Sequence, residues 1–168
     1  MSNLVTDETV LPAVTAAVSG ASGLAGLEGR LLVVFDGECG FCNRSIRWLL
    51  RRDRKNRLRF APSSDPAVRA LLASHGVLSQ ASDASPDTIF VLRNTGTHVE
   101  ELLVRSNAIL ACLRVLPQPW PFFAAVARLI PRPVRESAYK LIARYRYRIW
   151  GRYDSCPIPT PEERRHFL

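Results

Sequence analysis

No stretch of this chain offers the ~20 consecutive apolar residues that a helix needs to cross a bilayer. A transmembrane protein is therefore not expected, and a soluble, cytoplasmic one is. Lys and Arg are missing from the first 29 residues, whose charges are Asp7, Glu8 and Glu28. The positive region that opens a secretory signal is thus absent. Pro12, Gly20 and Gly23 interrupt the apolar character of that segment, so residues 1–29 read as a flexible extension of a single domain spanning 30–168. Histidine is scarce, and His75, His98 and His166 share no metal-ligand spacing. There are only four cysteines, in a 168-residue chain that is 47% hydrophobic, so a disulfide scaffold is neither supplied nor needed. Internal repeats and nucleic-acid-reading motifs are lacking as well.

Acid is also in short supply. The formal net charge is +8, and the excess is local. Between Arg44 and Arg59 the basic residues Arg44, Arg47, Arg51, Arg52, Arg54, Lys55, Arg57 and Arg59 face one acid, Asp53. A second basic region runs from Arg128 to the end of the chain. The ordinary reading is a solvated arginine-rich surface, with no specific nucleic-acid partner. The competing one is a surface that attracts nucleic acid, anionic lipid or acidic partners.

What is present has an α/β order. Leu31 to Phe35 (LLVVF) is a continuous apolar run between Gly29 and Asp36-Gly37, the pattern of a strand buried on both faces. NRSIRWLLRRD follows, with Ile46, Leu49 and Leu50 at helical spacing and arginines opposite. Arg57 to Ala61 alternates as a half-buried strand, ended by Pro62. Asp65 and Pro66 form a helix start, and Gly76 a helix stop. Residues 77–87 read as a polar loop. Thr88 to Arg93 and His98 to Val104, joined across a turn containing Gly96, read as a β-hairpin. Ser106 is placed as the cap of a helix that stops at Pro117. The order β-α-β-α-β-β-α is that of a thioredoxin-like sheet, an analogy at the level of fold. Two more helices follow. The second carries Val134, Ala138, Leu141, Ile142, Tyr145 and Ile149 on one side, and both look like helices added to the core. The proline-rich tail from Asp154 is expected to be extended.

The chemistry centres on Cys39 and Cys42, which form a C-x-x-C pair between the first strand and the first helix. A helix N-terminus offers unpaired N–H groups and about half a positive charge, which favour a thiolate. Residues i and i+3 share a side, so the second sulfur can reach the first. Cys39, nearest the helix start and expected to be the more exposed, is the candidate attacking thiolate. Cys42, expected to lie deeper, is the candidate resolving thiol. Gly40 is expected to permit a tight turn and Phe41 to supply an apolar wall. Asp36 and Glu38 would oppose a thiolate, and Arg44 and Arg47 could offset them. Asp36 could equally fix the turn through backbone N–H groups. Pro86, just before the third strand, is a candidate for a cis-proline facing the dithiol. Zinc held by Cys39, Cys42, Cys112 and Cys156 is an alternative, weakened because the last two are single and far apart. Cys112 reads as core packing, and Cys156 as a spectator or a third redox partner.

DGECGFC after LLVVF resembles the D-G-x-C-x-x-C signature of the DCC family of thiol–disulfide oxidoreductases. SNAIL at Ser106 to Leu110, YRYRIWG at Tyr145 to Gly151, Cys156-Pro157 and the ending PEERRHFL are similar to further blocks of that family. The resemblance covers about Leu31 to Leu168. It implies a thioredoxin-like fold and a redox role, with Asp36, Gly37, Cys39 and Cys42 as the motif positions. The expected activity is exchange with a disulfide- or thiol-bearing protein or small molecule, without a cofactor. A non-catalytic binding module with a basic surface and a regulatory dithiol is the alternative.

Overall fold

The computed structural model describes residues 27–77, 88–95, 97, 99–153 and 160–168. Ten elements follow one another: β1 (Leu31–Phe35), α1 (Gly40–Leu50), β2 (Leu58–Pro62), α2 (Pro66–Ser74), β3 (Phe90–Arg93), β4 (Glu101–Val104), α3 (Ser106–Val115), α4 (Trp120–Leu129), α5 (Arg132–Trp150) and α6 (Pro161–Arg164). The sheet order is β2-β1-β3-β4. β1 runs parallel to β2 and antiparallel to β3, and β3 pairs antiparallel with β4. This is the thioredoxin-like arrangement expected of the element order.

β1 is central and all five of its residues are buried. Its alternate side chains feed two cores, as the strand period of two requires. Leu31, Val33 and Phe35 pack with Ile46 and Leu49 of α1 and with Ala108 and Cys112 of α3. Leu32 and Val34 pack on the other face with Val68 and Leu72 of α2 and with Leu27. α1 and α3 therefore cover one face of the sheet and α2 the other. Asp53 closes the turn into β2 by accepting the Arg57 and Leu58 N–H groups at 2.9 and 2.7 Å. Asp65 caps α2 by accepting from Ala67 and Val68, with Pro66 in the first turn.

Several expectations need correction. The third strand starts at Phe90, two residues after Thr88, and the fourth at Glu101. Ser106 is not a cap: Arg105, at φ 52, holds that place, and the Ser106 hydroxyl donates to Glu136 of α5. The tail is not simply extended. Thr160 and Glu163 make a reciprocal capping box that starts α6. Phe167 then packs on Phe35 and Phe60, with ring centroids 6.3 and 6.0 Å apart.

α5 is expected only as a helix added to the core, and its apolar side, with Val134, Leu141, Ile142, Tyr145 and Ile149, is exposed. The opposite side faces inward, and it is polar. Glu136 accepts from Ser106, Arg135 donates to Asn107 at 3.1 Å, and the Tyr139 hydroxyl accepts the Ile89 N–H at 3.1 Å. Arg146 is buried. A 3.6-residue period defines two faces of a helix; which face turns inward depends on the partners available, and here they are polar.

Candidate active site

The site forms where β1 ends, α1 begins and the last turn of α5 crosses them. Cys39 is the N-cap of α1, in extended conformation at φ −81 and ψ 117. Its sulfur accepts the Cys42 N–H at 3.3 Å, as a capping oxygen would. Both cysteines are free thiols. A side-chain hydrogen bond between the two cysteines also acts on their ionisation. This bond, the Cys42 N–H and the Arg146 guanidinium outweigh burial and the Asp36 carboxylate. They lower the Cys39 pKa from an ordinary 9.0 to about 7. The same bond, followed by burial, pushes the Cys42 thiol strongly upward. The two shifts run in opposite directions, so Cys39 ionises more readily than Cys42. Burial raises Cys112 to about 12, which suits an inert core thiol.

Asp36 is 3% exposed. One of its oxygens accepts the Glu38 N–H at 3.0 Å, and the other accepts from Arg146 at 3.3 Å and from the Tyr147 hydroxyl. Asp36 therefore both fixes the turn and anchors α5. Glu38 turns away from the sulfurs to pair with Arg152 at 2.9 Å. The cation that offsets the carboxylates is Arg146. Arg44 and Arg47, the cations named from sequence, are exposed.

Gly40 also has a different role from the expected one. Its φ lies outside the left-handed region, and it is the first residue of α1. A Cβ there would sit 2.3 Å from the Trp150 carbonyl oxygen, so only glycine admits the end of α5. Gly40 N–H donates to the Gly151 oxygen at 3.3 Å and Tyr153 N–H to the Glu38 oxygen at 2.7 Å. Arg152 pairs with Cys39 as a backbone bridge. This strap, residues 151–153, runs along the backbone of residues 38–40. Cys39 is 0% exposed, whereas Cys42 is half-buried, the reverse of the expected order.

Cys42 lines a cavity of about 400 Å³. Phe41, Trp48, Ile89, Ile142 and Trp150 form apolar wall, while Asp36, Tyr139 and Arg146 bring polar groups to it. Phe41 packs on Trp150 with centroids 4.7 Å apart. Asn43, unnoticed in the sequence, donates to the Gly37 and Cys39 oxygens at 2.6 and 3.1 Å and so holds the motif loop against α1. An Asn four residues after the first cysteine was the available signal. Tyr147 was visible only as part of the YRYRIWG block. Pro86 and Cys156 lie outside the described residues. Among the described residues, no three His, Cys, Asp or Glu side chains gather in a way that could hold a metal ion.

A dithiol at the N-terminus of the first helix of a β2-β1-β3-β4 sheet defines a thioredoxin-like α/β redox protein. Residues 33–152 match the family described as DCC1-like thiol-disulfide oxidoreductase, and the chain belongs to that family of enzymes. It is 28% identical over 137 residues to a protein of Bacillus subtilis (strain 168) named uncharacterized protein YuxK, covering 82% of this chain and 93% of that one. It is also 28% identical over 129 residues to the Arabidopsis thaliana DCC family protein At1g52590, chloroplastic, covering 77% and 70%. No solved structure matches it.

Proposed function

We propose that the exchange runs through Cys39 and Cys42, with Cys39 attacking and Cys42 resolving. The observation that carries this is the N-cap geometry, in which the Cys39 sulfur accepts the Cys42 N–H at the start of α1. The Cys39 thiolate attacks one sulfur of a substrate disulfide, forming a mixed disulfide and releasing a substrate thiolate. Cys42 then loses its proton to that leaving group and attacks the Cys39 sulfur. The Cys39–Cys42 disulfide forms and the second substrate thiol departs. The substrate gains two electrons and the dithiol loses them; with an oxidising partner the steps run backwards. Asp36, Gly37, Gly40 and Phe41 shape the loop and the wall around the pair. The first step requires the buried Cys39 sulfur to become accessible.

One observation favours the opposite roles. Cys42 is the sulfur that lines the cavity, and Cys39 is sealed. The two assignments separate in a trapping experiment with an insulin or small aromatic disulfide. With Cys39 as nucleophile, Cys42→Ser accumulates a stable mixed disulfide and Cys39→Ser forms none. Trapping by Cys39→Ser alone reverses the roles. Trapping by neither removes the dithiol from the mechanism.

A further inference from the structure

We propose that the outward face of α5 docks this protein onto an anionic lipid surface, with the helix lying in the plane of the interface. α5 is 19 residues long, about 28 Å, and carries an apolar stripe of Val134, Ala138, Leu141, Tyr145 and Ile149, spaced three to four residues apart. Leu141 is 60% and Ile149 63% exposed. Immediately before it, α4 exposes Phe122, Val126 and Leu129, the last at 83%. Burying such side chains is worth more than anything water offers them, so helices of a lone soluble domain normally turn them inward.

The charge of this surface identifies what covers it. Lys140, Arg144 and Arg148 recur every fourth residue along one border of the stripe, and all three are exposed. The acid between Pro117 and Tyr153 is Glu136, which lies on the inner side, bound to Ser106. With its acid turned inward, the same basic face on a second copy offers no complement to these cations, whereas an anionic surface does. An apolar stripe bordered by basic residues, with Tyr145 on the stripe and Trp150 near its end, is the composition of an interfacial helix on anionic lipid. No helix among the described residues is long and apolar enough to cross a membrane, so the contact is a surface one. Ile142 and Trp150 are exposed on α5 and also line the cavity beside Cys42, so docking would bring the cavity's edge to the interface.

The test is co-sedimentation of the full chain with vesicles of phosphatidylcholine alone or of equimolar phosphatidylcholine and phosphatidylglycerol. Binding is expected to the mixed vesicles and not to the neutral ones, and to weaken with added salt. Arg144→Gln should cost about five-fold in affinity. The pair Leu141→Glu and Ile149→Glu should cost more than ten-fold, with circular dichroism and exchange on a soluble disulfide unchanged. Absence of binding to the mixed vesicles overturns the proposal. So does equal binding to both vesicles that the paired variant leaves intact. A dimer in light scattering that the paired variant dissolves assigns the face to a second copy and overturns it too.

Discussion

α1 and α5 are both amphipathic and both arginine-rich, yet they sit on the protein in opposite senses. α1 puts Ile46 and Leu49 into the core and leaves Arg44 and Arg47 in water. α5 leaves Leu141 and Ile149 in water and sends Glu136, Tyr139, Arg146 and Tyr147 inward. The difference teaches that two attachments of different kinds meet at the dithiol. α1 is held by apolar burial, which is strong and indifferent to detail. α5 is held by a few directional bonds, and two of them, from Arg146 and Tyr147, end on Asp36, the residue that begins the motif. The helix fixed by hydrophobic packing carries the sulfurs, and the helix fixed by polar contacts brings Arg146, one of the groups that lower the Cys39 pKa.

The contrast can be broken at its most loaded point. Asp36 and Arg146 are both almost wholly buried, their side chains 4% exposed. Arg146→Met leaves the Asp36 carboxylate buried without its cation, and should cost about 3–5 kcal/mol in denaturant unfolding. The same change should raise the pKa of Cys39, because one of the groups that lower it is lost. A variant with wild-type stability would mean that α5 is not anchored through Asp36.

A matched pair of truncations sharpens the comparison. Leu49→Ala on α1 should destabilise by about 2–5 kcal/mol, since it opens a cavity under the sheet. Leu141→Ala on α5 should stay within about 0.5 kcal/mol, since the side chain already faces water. Equal losses would mean that Leu141 is covered in solution by part of the protein itself. The smallest effect is expected on the cations of α1. Arg44→Gln and Arg47→Gln should each change stability by less than about 0.5 kcal/mol and leave the ionisation of Cys39 where it was.

The elements that were legible in the sequence are those whose cause is local. The LLVVF run needed no partner to be read as a central strand, and Asp65-Pro66 marks a helix start by its own chemistry. The dithiol was equally visible, because a helix places residues three apart on one side. Periodicity showed that α5 has two faces but not which one turns inward. That choice rests on Asp36, Ser106 and Ile89, which lie 30 to 111 residues away from the α5 groups they bind. The sealing of Cys39 escaped for the same reason. It depends on Gly40 letting the Trp150 carbonyl approach, a contact between positions 110 residues apart in the chain. Short-range chemistry thus located the sulfurs, and long-range contacts bring Arg146 and the end of α5 beside them.

The most direct test of the account is a titration of thiolate absorbance in the reduced protein, read beside Cys39→Ser, since absorbance needs no reagent to reach the sealed sulfur. The thiolate fraction of Cys39 rises with pH through its pKa, so the account predicts a first ionisation centred near pH 7, about two units below an ordinary thiol, and missing from Cys39→Ser. A first ionisation near pH 9, or one near 7 that survives Cys39→Ser, would contradict it.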